Sequence, residues 1–283
     1  MGLSKAIIRA LVDNFVARTT DLYILVPKRA QKRADHEREI RAALKRLREC
    51  YDPHERKNDV DRRWGYIRSV SWSDPTIENK IEYTCLVHGL TDRGLRLARD
   101  RGLDPDHHGK SFQEFSVDHV DHELRINDLI AALRTELHAL GLELIIERTH
   151  IKGGTVAPDL LFYIYDPVTD TRSAPFFLEY ERQKRGKHDD GGRPQIVRKL
   201  EAFANYYDSD LCQSEFCFRK FYVIVILRTE RKANFLLQDL AERKLTIKTF
   251  LIASEPALTP AILQTKFRTP RDFELSSYSL LDI

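Results

Sequence analysis

The sequence predicts an α/β chain, α+β overall, made of two domains: a helical domain closed by a β-hairpin, then a domain with a central mixed sheet. Three observations carry that reading. Apolar residues recur at helical spacing through the N-terminal part and then give way to two strand-like runs around a turn. After the turn-rich stretch Arg101 to Lys110 (RGLDPDHHGK), short apolar runs such as LLFYIY, PFFLEYE and FYVIVIL alternate with helical segments. A length of 283 residues suits one large domain or two ordinary ones. The boundary is set in that stretch, giving domains 1–106 and 107–283.

In the first domain, Ile7, Ile8, Leu11, Val12 and Phe15 form the apolar stripe of a helix over Lys5 to Phe15. Thr19 or Thr20 is expected to cap a second, short helix through Asp21 to Leu25. A third helix opens at Asp35, with Ile40, Ala43, Leu44 and Leu47 on one face. Its other face carries Arg38, Arg41, Lys45, Arg46 and Arg48. Strands are predicted over Trp64 to Trp72 and Ile81 to Val87, around the turn-forming Ser73-Asp74-Pro75. Thr91-Asp92-Arg93-Gly94 caps a closing helix, Leu95 to Arg99. Three helices, a hairpin and a helix is the order of a winged helix-turn-helix. The run Tyr83…Leu90-Thr91-Asp92-Arg93-Gly94 resembles the strand-to-helix junction of many bacterial winged-helix domains. In that fold the third helix enters the major groove and its basic groups neutralise phosphates. The plainer reading is a solvated helix face balanced by Glu37, Glu39 and Glu49.

In the second domain a helix is predicted over His122 to Leu140, ended by Gly141. Strands follow at Leu142 to Arg148, Asp159 to Tyr165 and Pro175 to Glu181, with turns at Gly153-Gly154 and Asp166 to Ser173. A helix over Pro194 to Tyr207, a strand over Phe221 to Leu227, a helix over Ala233 to Arg243 and a strand over Thr249 to Ala253 complete it.

Composition narrows the class. The formal net charge is only +3 despite 31% charged residues, and the basic groups cluster between Lys28 and Arg48. Cys50, Cys85, Cys212 and Cys217 are scattered, without zinc-site spacing, and a reduced cytoplasm is expected. The first helix carries Arg9 and Asp13, unlike a signal peptide, and no apolar run reaches membrane length. His107 and His108 sit in the turn-rich stretch and are read as exposed. No Gly-rich phosphate loop or nucleophile motif points to a small-molecule enzyme.

Chemistry concentrates in Asp159, Glu179 and Glu181. Alternation along a strand puts Glu179 and Glu181 on one face and Tyr180 on the other. If the Asp159 strand pairs with theirs, three carboxylates meet on an apolar face. Burial and mutual repulsion oppose that unless a cation is present, and a hard divalent ion, Mg²⁺ or Mn²⁺, takes oxygen ligands. A strand tip reaching water explains Glu-x-Glu more plainly, and Pro-Asp is a common turn opening.

Helix, three strands, helix, strand, with Pro158-Asp159 followed by Glu179-x-Glu181, is the skeleton of the PD-(D/E)xK nuclease core. One position departs: the usual Lys is Glu181, so the site is degenerate or a Lys arrives from elsewhere. Lys199 is the preferred candidate, at the flank of the stripe formed by Ile196, Leu200, Phe203 and Tyr207, from where its stem reaches the sheet edge. Lys184 and Lys187 are rivals. Glu123 is either an outer ligand or a helix-start Glu complementing the dipole.

The order winged helix, His122-Glu123-Leu124-x-x-Asn127-Asp128, Pro158-Asp159, Phe177-Leu178-Glu179-Tyr180-Glu181-Arg182 and Lys199-Leu200-x-x-Phe203-x-x-Tyr206 resembles the replication-relaxation family of plasmid proteins. That family includes the MOBC-class relaxases. The resemblance covers the chain from about Lys5 to the last strand and rests on the order of short motifs. It implies a cytoplasmic DNA relaxase or endonuclease that binds the origin of transfer of a plasmid or mobile element. It implies nicking of one strand at a metal-bound carboxylate site; in this sequence Asp159 and Glu179 are expected to hold Mg²⁺ or Mn²⁺, with Glu181 a third ligand or the base for water and Lys199 adding positive charge. Partners would be double-stranded DNA at a transfer or replication origin, accessory mobilisation proteins or a coupling protein, and a second copy of the chain. The alternative is a sequence-specific replication or transcription regulator whose nuclease-like domain does not cleave.

Overall fold

The computed structural model describes residues 3–14, 16–26, 33–49, 66–73, 84–103, 112, 117–149, 156–181, 195–209, 213–214, 218, 220–245, 249–258, 261–270 and 277–280. The chain is mixed α and β and divides into two compact units, Met1–Asn127 and Asp128–Ile283.

The first unit runs α1 (Leu3–Asn14), β1 (Val16–Arg18), α2 (Thr19–Leu25), α3 (Arg33–Glu49), β2 (Ile67–Ser73), β3 (Thr84–Leu90) and α4 (Asp92–Asp100). Its three strands form an antiparallel sheet in the order β1-β3-β2. β1 was not anticipated: three residues wedged between two helices carry no periodic signal. The helices bury Ile7, Ile8 and Leu11 of α1 with Ile40, Ala43, Leu44 and Leu47 of α3, against Ile67, Leu90, Leu95 and Ala98. This is the apolar face that the α3 spacing predicted.

Two helix starts show how the turns are fixed. Thr91 Oγ1 accepts from Gly94 N at 3.1 Å, the expected N-cap of α4. Gly94 is required there, because a Cβ would lie 2.1 Å from the carbonyl oxygen of Tyr66. At α2 the expectation fails. Thr19 and Thr20 lie inside the helix, and the cap is Arg18, whose backbone N–H donates to Asp21 Oδ2 at 2.7 Å.

The boundary also differs from the expected one. α5 spans Val117–Ala139, beginning before the predicted His122. Its first half belongs to the first unit, where Val120 and Leu124 are buried with Val16, Val87 and Phe112. Asn127 Nδ2 donates to Val16 O at 2.7 Å. The turn-rich stretch was therefore a poor guide, because a helix beyond it completes the core before it. Residues 104–111, with His107 and His108, lie outside the described residues, as does most of the segment between Trp72 and Ile81.

The second unit contains the rest of α5, then β4 (Glu143–Thr149), β5 (Leu160–Asp166), β6 (Thr171–Arg172), β7 (Phe176–Glu181), α6 (Gln195–Tyr207), β8 (Tyr222–Leu227), α7 (Glu230–Glu242), β9 (Phe250–Ser254), a 3₁₀ turn (Glu255–Leu258), β10 (Phe267–Arg268) and β11 (Ser277–Tyr278). The eight-stranded sheet has the order β11-β10-β9-β8-β7-β5-β4, with β6 paired to β5. β5 is antiparallel to both of its neighbours, β4 and β7, while β7, β8 and β9 run parallel. Parallel neighbours need a crossover, supplied here by α6 and α7. Strands in that position are covered on both faces, so β8 and β9 read as continuous apolar runs, YVIVIL and FLIAS.

On one face Phe177, Leu161, Tyr163, Val223, Val225 and Ile252 bury against Ile196, Val197, Leu200, Phe203 and Tyr206 of α6 and Leu236 and Leu240 of α7. Tyr206 is fully buried, whereas Tyr207, predicted for the stripe, packs at its margin. On the other face Phe162 stacks on Phe176 at 5.1 Å, and Phe176 on Tyr222 at 5.5 Å.

Candidate functional site

The site is built where β5 begins and β7 ends. Leu160 pairs with Leu178, so Asp159 sits one step further, level with Glu179. Asp159 N donates to Leu178 O at 3.0 Å, and Asp159 Oδ2 accepts from Tyr180 N at 2.8 Å. One carboxylate oxygen thus takes the role a backbone carbonyl would have had in the ladder. Strand alternation sends Glu179 and Glu181 to the face of Phe177, the face that α6 covers.

Lys199, on the first half of α6, meets them there. Its Nζ lies 2.6 Å from Glu179 Oε2 and 3.9 Å from Asp159 Oδ1. Glu179 is 2% exposed, while the Lys199 side chain keeps 34% exposure. Burial of the ammonium works against its charge, but Asp159, Glu179 and Glu181 together outweigh it and hold the pKa of Lys199 above the ordinary lysine value. The group is therefore an ammonium ion clasped by carboxylates from two adjacent strands. Glu181, half-buried, acts on it through charge.

Four of the predicted residues, Asp159, Glu179, Glu181 and Lys199, are thus brought to one locality. Lys184 and Lys187 lie outside the described residues. Among the described residues, no group of three or more His, Cys, Asp and Glu side chains is arranged to hold a metal ion alone. The donor chemistry nonetheless fits Mg²⁺ or Mn²⁺: Asp159 and Glu179 present hard carboxylate oxygens that already share one cation. Mg²⁺ is usually held by one or two carboxylates, completed by water and substrate phosphates.

In the first unit, Arg38, Arg41, Lys45, Arg46 and Arg48 are all exposed along α3, opposite its buried stripe. Arg38 is ion-paired with Asp35 one turn earlier. The charge of Arg48 reaches His88, which is buried on β3 between Thr19 Oγ1, 2.9 Å from Nε2, and Ser69 Oγ, 2.7 Å from Nδ1. Burial first, and Arg48 second, push the His88 pKa down to about 4.

Glu123 is not at a helix start, because α5 begins at Val117; the dipole explanation falls with that. It is 2% exposed, with His119 Nε2 3.6 Å and His122 Nδ1 3.4 Å from its Oε1. His119 was missed because the helix was expected to start after it; its spacing of four from Glu123 was the available signal. No helix among the described residues is long and apolar enough to cross a membrane. Compared with protein-family models, with curated proteins and with solved structures, the chain matches none.

Proposed function

We propose that the protein is a metal-dependent DNA endonuclease of the relaxase kind, which binds a transfer or replication origin through its first unit and nicks one strand with its second. The observation that carries this is the convergence of Asp159 and Glu179 with an ammonium supplied by Lys199, a helix residue. In the PD-(D/E)xK core the lysine follows the second carboxylate along the strand. Here Glu181 holds that position, and Lys199 supplies the missing charge from α6. The strand order and directions around β4, β5, β7 and β8 support the same comparison.

In this reading Asp159 and Glu179, with Glu181 beside them, hold Mg²⁺ or Mn²⁺. When bound, such an ion lowers the pKa of water and stabilises charge on the phosphate oxygens. Asp159 is held by two hydrogen bonds to the backbone, so its other oxygen, on the Lys199 side, keeps one direction. Lys199 adds positive charge where the scissile phosphate becomes more negative. Glu181, the most solvent-accessible carboxylate on the strand, is suited to accept a proton from the attacking water.

Recognition is assigned to the first unit. Its order, helix, strand, two helices and a hairpin, with α3 basic on its outer face, supports a winged helix docking α3 on DNA. A second reading, a DNA-binding regulator without cleavage, is favoured by Glu181 standing where lysine is usual. Incubation of supercoiled plasmid carrying the protein's own origin, with Mn²⁺ or with EDTA, separates them. Nicked circles that appear only with Mn²⁺ support the nuclease; DNA bound yet intact in both supports the regulator.

A further inference from the structure

We infer that Lys199 is the resident cation of the carboxylate site, and that it competes with a divalent ion for Glu179 there. The inference rests on the nuclease reading above and adds a mode of control to it. A 2.6 Å separation between Nζ and Glu179 Oε2 is the distance of a strong charge-assisted hydrogen bond. A divalent ion ligated by that oxygen would sit against the ammonium, and two cations on one oxygen repel.

The exchange can happen on one side only. Asp159 is tied at both its backbone N–H and its Oδ2. Glu179 sits on β7, in register with Val225 of β8 on one side and next to the β5 pairing at Leu178 on the other. The sheet fixes the backbone that carries both carboxylates. Lys199 is different. It rides on the flank of α6, which is anchored by Ile196, Val197, Leu200 and Phe203, and its side chain is one-third exposed at 34%. A four-carbon stem lets the ammonium swing toward solvent while the helix stays seated.

Charge makes the exchange directional. Asp159, Glu179 and Glu181 all act on its ammonium. A divalent cation is drawn to the same carboxylates. Lys199, once released, finds its next anion in a phosphodiester at the site. The lysine then reaches DNA only when the carboxylates are otherwise neutralised, so the metal-free protein is held in an unproductive pairing.

The test is Mn²⁺ affinity without DNA, read by electron paramagnetic resonance of free against bound ion, for the full chain, Lys199→Met, Lys199→Gln and Glu179→Gln. Removing the competing ammonium should tighten binding about ten- to a hundredfold, the equivalent of one hydrogen bond to a charged group. Lys199→Gln keeps a donor toward Glu179, and serves if Lys199→Met does not fold by circular dichroism. Folded Lys199 variants that bind Mn²⁺ no more tightly than the wild type overturn the inference and leave the nuclease reading standing. If wild type and Lys199 variants alike bind no Mn²⁺, the metal reading itself fails and takes this inference with it.

Discussion

Removing either partner of the Lys199–Glu179 pair should destabilise the metal-free protein, and unequally. At 2.6 Å the gross attraction is about 6 kcal/mol at an effective dielectric of about 20, most of it offset by desolvation of the two groups. A hydrogen bond to a charged group nets about 1.5–3 kcal/mol. Exposure of one-third of the Lys199 side chain lowers that through solvent screening, so about 2 kcal/mol is the expected coupling. Lys199→Met leaves a carboxylate that is 2% exposed without its ammonium, and should cost about 2–3 kcal/mol. Glu179→Gln leaves an ammonium that can turn to water and to Asp159, and should cost about 1 kcal/mol. The double variant should recover most of the difference. Urea unfolding in EDTA, followed by circular dichroism, measures all four corners of the cycle; in thermal scans 2 kcal/mol corresponds to about 4–8 °C. Strict additivity of the two single changes would refute the pairing, and a larger cost for Glu179→Gln would refute the reasoning from burial.

Two further outcomes follow from the first unit. The folded pKa of His88 is about 4 against an ordinary value of 6.5, so below pH 6.5 the unfolded chain binds a proton that the folded one refuses. The stability it confers is complete above that pH and is lost as pH falls towards 4, by about 3 kcal/mol at most; urea titrations across this range should lose the slope in His88→Gln. On α3, Arg41→Ala with Lys45→Ala should weaken DNA binding and reduce the log–log salt slope by up to about two, whereas a merely solvated face would leave the slope unchanged in a salt-titrated binding assay.

The parts of the fold visible in the sequence were those where burial is two-sided or strictly periodic. β8 is an unbroken apolar run because both of its faces are buried, one of them against α6 and α7. α3 showed its stripe because one face alone is buried. The short strands β1, β6, β10 and β11 exist through their partners and have no pattern of their own. The carboxylate site was legible for a different reason: strand alternation fixes the side of Glu179 and Glu181 once β7 is recognised, and helical spacing brings Lys199 to the edge of its stripe. What spacing does not carry is distance in the fold. That Asp159 completes the ladder through Tyr180 N depends on the register of β5 with β7, which is set by packing. The burial of Glu123 beside two histidines was likewise hidden, because it depends on where α5 begins.

The central claim is that Asp159, Glu179 and Lys199 form a DNA-cleaving centre that works independently of recognition. Its most direct test sets the wild type, Asp159→Asn and Glu179→Gln side by side on one supercoiled plasmid carrying the origin, with Mn²⁺, scoring nicked product and bound DNA in the same samples. The expected result is nicking by the wild type alone, lowered in both variants by at least about a hundredfold, the scale of losing a charged group from the transition state, with all three proteins binding equally. Equal nicking by wild type and variants, or no nicking by the wild type under conditions where it binds, would contradict the claim.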